Sequence, residues 1–600
     1  MLTERFNKQR KSELDTIFSK KNISNVWRNI VKDQLRRIDL QDIFDYYDFN
    51  YNIDERALLL RNDLLNGNYQ CSLPMIFRIE KKFGICRHIV IPQPIDALVL
   101  QVITETIRPE ILKKQPSSNA FYSQDRHNVS KPHEIDEYGY SWMELWKKMQ
   151  KTIYKFNEEK ELLVVSDLSN FYDSIEVYEL RKKIMSAIDE KEVLIDILFK
   201  IIEKISWLPD YLPYIGRGLP TTNIEGVRLL GHCFLFELDS YLKEQTNNSF
   251  TCWMDDVVFG INSKEEGIEI LSFTSDILKS RGLAWNTSKT DIYTSQKAQI
   301  HFLIDENKYL DSIDISVGGE AVAKSVKDKF EYHLENNSTS KYYEKVTKRY
   351  ITIFSKLKSD ILLNDIVSLY ENTPGIRQNL LYYLSNLGYG DKTSNIVIEI
   401  LNKTKIYDDI SLFNICKLIT NWNIPTSNKG YDFIKEIIEL VTSFSIKRKT
   451  PFDFYCILWV RAKYNHPQEL YDFIIKYENI WKSEPFLRRM VTSIMARIYP
   501  VKEGKVQTFL ESQIATGESS IVSVANCILK FAKLTKIETK INMYLFPNKL
   551  ATYSLQRFLV LCSVLNADVY RTNEDIANNI KTKIIDDHLR KWIDLQYDIK

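Results

Sequence analysis

Phe250-Thr251-Cys252-Trp253-Met254-Asp255-Asp256-Val257-Val258-Phe259-Gly260 is an apolar run interrupted by two adjacent acids. Trp, Val and Phe suit a pleated, half-buried surface and Asp tolerates turn geometry, so the stretch predicts a β-hairpin with Asp255-Asp256 at its turn. Carboxylates held in such a place are costly unless they are paired or ligate a metal.

A second acid upstream supplies a partner. Leu162-Leu163-Val164-Val165 is a short apolar run ending in Ser166-Asp167, followed by Leu168-Ser169-Asn170-Phe171-Tyr172-Asp173-Ser174-Ile175. The pattern predicts a strand that delivers Asp167 at its carboxyl end, then a turn into a helix beginning near Glu176. If that strand lies beside the hairpin, Asp167 and Asp255 converge. Hard carboxylate oxygens favour Mg²⁺, which takes one or two protein carboxylates and completes its shell with phosphates and water. Two such ions, roughly 3.5–4 Å apart, clamp the attacking and leaving oxygens of an in-line phosphoryl displacement. The chemistry implied is nucleotidyl transfer. An Asp-Asp pair alone is common in surface turns, so the case depends on the segments that accompany it in order.

From about Arg78 to Leu303 those segments resemble reverse transcriptases of the bacterial intron, retron and abortive-infection type. Arg87-His88-Ile89-Val90-Ile91-Pro92, with Asp96 and the apolar stretch Ala97–Ile107, resembles their fingers segment. Asp167 through Ile175 resembles the first palm motif, and Gly218-Leu219-Pro220-Thr221-Thr222 with the stretch to Leu238-Asp239 resembles the second. Trp253-Met254-Asp255-Asp256 matches the metal-binding turn. Gly282-Leu283 with Asn286 and Lys289-Thr290 resembles the next motif, and His301-Phe302-Leu303 the grip strand after it. Two departures fall where template or nucleotide would pack. Trp253 stands where Tyr or Phe is usual, and Thr222 stands where Gly is common, restricting the backbone.

The resemblance implies roles residue by residue. Asp167, Asp255 and Asp256 are the catalytic acids, and the metal set is Asp167, Leu168, Asp255 and Asp256, holding two Mg²⁺ ions with Mn²⁺ as an alternative. Tyr172, five residues after Asp167, is the ring that leaves no room for a ribose 2′-hydroxyl. Lys289 contacts the triphosphate or protonates departing pyrophosphate. Arg78, Lys82 and Arg87 grip phosphates from the fingers, where cationic groups offset charge on phosphoryl oxygens. Thr221 and Thr222 complete the substrate-binding set.

Composition sets limits. Six hundred residues exceed a single ordinary core, so two or more domains are expected. The formal net charge of +2 is low for a protein that coats nucleic acid nonspecifically, and basic residues cluster locally at 8–11, 20–21, 36–37 and 447–449. The eight cysteines include no Cys-x-x-Cys pair and sit in apolar company, which points to reduced core residues in a bacterial cytoplasm. No apolar leader and no uninterrupted bilayer-length stretch is read, so no membrane partner is expected.

The predicted architecture is α+β: a helical N-terminal lead-in over 1–75 with a turn at Asn66-Gly67-Asn68, right-hand polymerase fingers and palm over 76–320, and a large all-α, helical-repeat-like domain over 321–600. Val317-Gly318-Gly319 is expected to close the last palm hairpin. Beyond it, apolar residues recur at helical spacing in 351–362, 376–387, 396–401, 410–420, 433–441, 452–460, 484–498, 519–534 and 555–565, separated by short breaks. Such a series predicts stacked helix pairs, as in an α-solenoid, with a helical bundle as the alternative. A helical tail of this length resembles the defence-associated abortive-infection reverse transcriptases. That resemblance implies antiphage defence, oligomers, and DNA made from deoxynucleoside triphosphates without a template and primed by a tyrosine. Asp45-Tyr46-Tyr47-Asp48-Phe49-Asn50-Tyr51 reads as an exposed tyrosine cluster. Two alternatives stay open: a reverse transcriptase that copies a dedicated noncoding RNA, and a noncatalytic scaffold that keeps the fold for binding.

Overall fold

The computed structural model describes residues 2–123, 142–189, 191–209, 211–213, 215–316, 319–550 and 552–597. A five-stranded sheet at its centre positions everything that follows. After the N-terminal helices, β1 (Met75–Lys82) and β2 (Ile85–Ile91) form a separate antiparallel hairpin. The sheet itself consists of β3 (Ala120–Phe121), β4 (Leu162–Asp167), β5 (Phe250–Trp253), β6 (Asp256–Ile261) and β7 (Asp291–Thr294), in spatial order β3-β5-β6-β4-β7. Only β3 against β5 is parallel. Leu163, Val164 and Val165 of β4 and Val257, Val258 and Phe259 of β6 are all buried, as continuous apolar runs require when helices cover both faces of a sheet. The helices Trp142–Glu159 and Lys264–Ser280 pack against these strands. The second starts cleanly because Ser263 accepts from the Glu266 amide, while the Glu266 carboxylate accepts from the Asn262 amide.

From Glu320 onward every regular element is a helix among the described residues. Helices Tyr343–Leu357, Arg377–Leu387, Ser411–Asn421 and Pro451–Tyr464 each pack on the next member of that series, with alternate helices between them. This is the stacked-pair arrangement the periodicity predicts. The predicted helical segments each fall within or overlap an observed helix, because their apolar residues repeat on one face.

The N-terminal helices do more than lead in. They dock on the far end of the helical half, where Arg489 bridges Asp42 at 2.6 Å and Asp48 at 2.8 Å and donates to the Ser520 carbonyl at 2.7 Å. Tyr51 donates to Glu538 at 2.9 Å, and Tyr47 stacks on Tyr544. The tyrosine cluster is therefore not exposed: Tyr47, Asp48, Phe49 and Tyr51 are buried, because one face of their short helix meets the C-terminal helices.

Two further expectations are corrected. His301-Phe302-Leu303 forms no strand; it ends the helix Ser295–His301, which Thr294 caps by accepting from the Lys297 amide. Ala298 and Phe302, four apart, bury one helical face there. No hairpin follows among the described residues, since helices Ile304–Ser312 and Glu320–Asn336 flank the position; Val317-Gly318 lies outside the described residues. The turn at Asn66-Gly67-Asn68 is present, with Gly67 at φ 76° ending the helix Ile53–Asn66.

Candidate active site

Asp167 is the last residue of β4 and pairs in register with Asp256, the first of β6, which also opposes Trp253 of β5. Met254 and Asp255 form the two-residue turn between β5 and β6. Met254 takes φ 53°, a left-handed conformation that is uncommon for a residue with a β-carbon, so the turn carries strain. Three main-chain bonds hold it: Met254 donates to Phe121 at 3.0 Å, Leu168 to the Asp255 carbonyl at 3.0 Å, and Asn286 to the Asp167 carbonyl at 2.7 Å. Gly231, in the buried helix Glu225–Phe234, makes room beneath. A β-carbon there would lie 3.1 Å from Met254 Cε, 3.5 Å from Phe171 and 3.7 Å from Tyr172.

Each carboxylate has a distinct environment. Asp167 is nearly buried, with Lys289 Nζ at 2.7 Å and Asn286 Nδ2 at 3.3 Å on the same oxygen. Asp256 meets Lys341 Nζ at 2.7 Å, with Lys345 at 4.0 Å; burial opposes its charge, but those lysines hold its carboxyl below the ordinary aspartate range. Asp255 forms no ion pair among the described residues. Burial first, then Asp256 and Asp167, push its carboxyl up to about 6, with Arg87 opposing.

Two of the three acids are thus paired with ammonium groups, and the third, Asp255, is half-buried beside them under their charge. Among the described residues no three His, Cys, Asp or Glu side chains form a ready cage for a metal. A polymerase-type Mg²⁺ needs only one or two protein carboxylates. The donor set fits a divalent ion: hard oxygens, a carboxyl raised by burial and by its like-charged neighbours, and ammonium groups drawn to the other two.

The fingers hairpin divides its side chains by strand alternation. Arg87 lies opposite Ile79 in the β1–β2 ladder and acts electrostatically on Asp255 and Tyr172. Arg78 does not join it. Its guanidinium forks onto Asp409 of the helical half at 3.1 and 3.0 Å, and its amide donates to the same carboxylate at 2.8 Å. Glu80, on that same side, pairs with Arg377 at 2.8 Å. Lys82 stays at the hairpin tip, its Nζ 4.8 Å from the Phe83 ring centre. Lys81 takes the place expected of Lys82: its ammonium is pushed down by burial and then by Arg87 and Lys289, and it feels Asp173 and Asp255. The alternation from Arg87 through Ile79 was the signal for it.

Tyr172 is half-buried under the turn, its hydroxyl held protonated by burial, with Arg228, Asp255 and Arg87 as charged neighbours. Arg228 is a site residue that sequence reading missed; a lone guanidinium in the otherwise buried helix Glu225–Phe234 was the available sign. Thr221 ties the second palm segment to the fingers, its carbonyl accepting from the Val90 amide at 2.8 Å. Thr222 is nearly buried, and its hydroxyl accepts from the Ile224 amide at 3.4 Å.

Residues 79–305 match the family model described as reverse transcriptase (RNA-dependent DNA polymerase). No curated protein matches the chain. Among solved structures, apo telomerase from Candida Tropicalis overlays with a TM-score of 0.30 at 11% identity, covering 65% of this chain and 69% of that one. Telomerase from Candida albicans, in complex with a fragment of telomeric RNA, gives 0.30 at 10% identity, covering 69% and 70%. With the acids at the β4–β6 junction, the family match makes residues 79–305 a reverse transcriptase domain, and the chain an enzyme of the RNA-directed DNA polymerase class.

Proposed function

We propose that this protein synthesises DNA in bacterial antiphage defence, by two-metal chemistry, without a conventional template and from a protein hydroxyl. The observation that carries the polymerase reading is the meeting of Asp167, Asp255 and Asp256 at one strand junction, next to the cationic face of the fingers. Divalent ions, Mg²⁺ or Mn²⁺, held by Asp167, Asp255 and the main chain at Leu168 with Asp256 beside them, would offset charge on the attacking and leaving oxygens. The chain's own residues do the rest. Asn286 and Lys289 fix the Asp167 carboxylate. Arg87 and Lys81 offer positive charge to the triphosphate. Tyr172 closes the space beneath the sugar, selecting deoxynucleotides. A hydroxyl oxygen attacks the α-phosphorus as its proton passes to solvent, the bond to the bridging oxygen breaks, and the departing pyrophosphate takes a proton from Lys289, released from Asp167 once cations hold that carboxylate.

The defence reading is supported by the length of the stacked helical half, which follows the palm directly and resembles that of the abortive-infection enzymes. A homo-oligomer belongs to the same proposal. Priming from the 45–51 cluster has no support, since its tyrosines pack against the C-terminal helices; Tyr178 and Tyr211 are exposed instead.

Incubation of purified protein with Mg²⁺ and each deoxynucleotide, alone and mixed, followed by sequencing, tests the whole reading. DNA that stays on the protein after denaturation, but not after protease, is the expected product. A free product whose sequence copies a co-purified RNA would replace this reading with the templated one.

A further inference from the structure

Asp255 and Asp256 are adjacent in sequence yet face different company. The largest charges acting on Asp255 come from Asp256, Asp167 and Arg87, all inside the reverse transcriptase domain, and no ion pair reaches it from the helical half among the described residues, although Lys345 contributes to its field. Asp256 is met by two ammonium groups from beyond it, Lys341 and Lys345. Lys341 stands just before the helix Tyr343–Leu357, and Lys345 lies in its first turn.

Their placement is built from several independent contacts. Ser340 donates to the His301 carbonyl at 2.7 Å, pinning the chain one residue before Lys341. Tyr342, on the other side, is buried edge-on to Phe302 at 5.1 Å and faces Trp146 at 6.3 Å. Lys345 Nζ lies 4.1 Å from the Trp146 ring centre and 4.6 Å from that of Tyr342, within cation–π range. Trp146 in turn meets Trp253, the residue that opens the catalytic turn, edge-on at 5.3 Å. An aromatic bracket of Trp253, Trp146 and Tyr342 therefore carries the two lysines to Asp256. It also gives a reason for Trp253, since the indole spans to Trp146.

We propose that Lys341 is a positioning residue through which the helical half, with Lys345 beside it, holds Asp256 and sets how tightly the catalytic turn takes a divalent cation. An ammonium and a divalent cation offset the same carboxylate charge, so each weakens the other's hold on it. The inference rests on the reading of Asp167, Asp255 and Asp256 as cation ligands.

The test is Mn²⁺ binding to the full-length protein, followed by electron paramagnetic resonance, in wild type, K341M, K341R, D256N and the K341M/D256N double variant. Ion pairs of this kind, with each side chain still partly in solvent, change affinity by roughly two- to fivefold, so K341M should bind Mn²⁺ tighter by about that factor. K341R should match wild type, and K341M should add nothing once Asp256 is Asn. Equal affinity in wild type and K341M, or the same tightening in the D256N background, overturns the inference while leaving the ligand reading intact. Failure of wild type to bind Mn²⁺ at all would overturn both.

Discussion

At the level of single residues, the two acids of the turn have unequal work. Asp255 is half-buried among like charges, with Arg87, Lys81 and Lys345 opposing from a distance, whereas Asp256 is paired directly with Lys341. Neutralising Asp255 should therefore cost far more activity than neutralising Asp256. Asn286 orients Asp167 from the main chain and the side chain together. Asn286→Ala should lower nucleotide incorporation by roughly 10- to 100-fold, the range seen for groups that orient metal ligands, without a matching loss of thermal stability. Tyr172→Ala should admit ribonucleotides, read as the ratio of ribo- to deoxynucleotide incorporation; an unchanged ratio removes the gate. The acids were legible because Asp255-Asp256 interrupts an apolar strand pattern and Asp167 ends another. Lys81 was passed over for Lys82 although alternation from Ile79, which opposes Arg87, puts Lys81 on the Arg87 side and Lys82 with Arg78. Lys341 had no local sign, lying 85 positions from the carboxylate it meets.

Among the elements, the helix Glu225–Phe234 is the floor of the site. Gly231→Ala would drive a β-carbon toward Met254 and Phe171. Overpacking of this kind costs about 1–3 kcal/mol, and the atom that must give first is the end of the Met254 side chain in the turn. The expected result is a modest fall in thermal midpoint with a larger fall in nucleotide incorporation. The neighbouring helix Phe236–Gln245 places Asp239 in full burial beneath β5, with Cys252 as its polar neighbour, and burial pushes the Asp239 carboxyl up to about 7. The folded protein then holds a proton that the unfolded chain releases near pH 4, so this group's contribution to stability falls as pH rises from about 4 to 7. Asp239→Asn should flatten that decline in chemical denaturation measured across the window. Helices of the C-terminal half were readable because a 3.6-residue period persists over many turns. The run at 301–303 was not, because three residues of mixed character fit a strand or a helix end equally well.

For the molecule as a whole, chain order misleads about contact. Residues 1–75 precede the fingers but dock on the last third of the chain through Arg489, Asp42 and Asp48, all buried. Arg489→Leu removes the cation that two buried carboxylates share and should destabilise the fold by about 3–5 kcal/mol, measured by denaturant unfolding. The fingers are tethered as well, by Arg78 on Asp409 and Glu80 on Arg377, so the helical half touches the polymerase at its fingers and, through Lys341, at its catalytic turn. None of these long-range pairings is visible in one dimension, which is why Arg78 reads as a phosphate ligand until its partner is seen. The most direct test of the account is DNA synthesis from deoxynucleoside triphosphates and Mg²⁺ by wild type, Asp167→Asn and Asp255→Asn, each confirmed folded by its thermal midpoint. Polymer made by wild type and lost in both variants is the predicted result; either variant making as much DNA as wild type would contradict it.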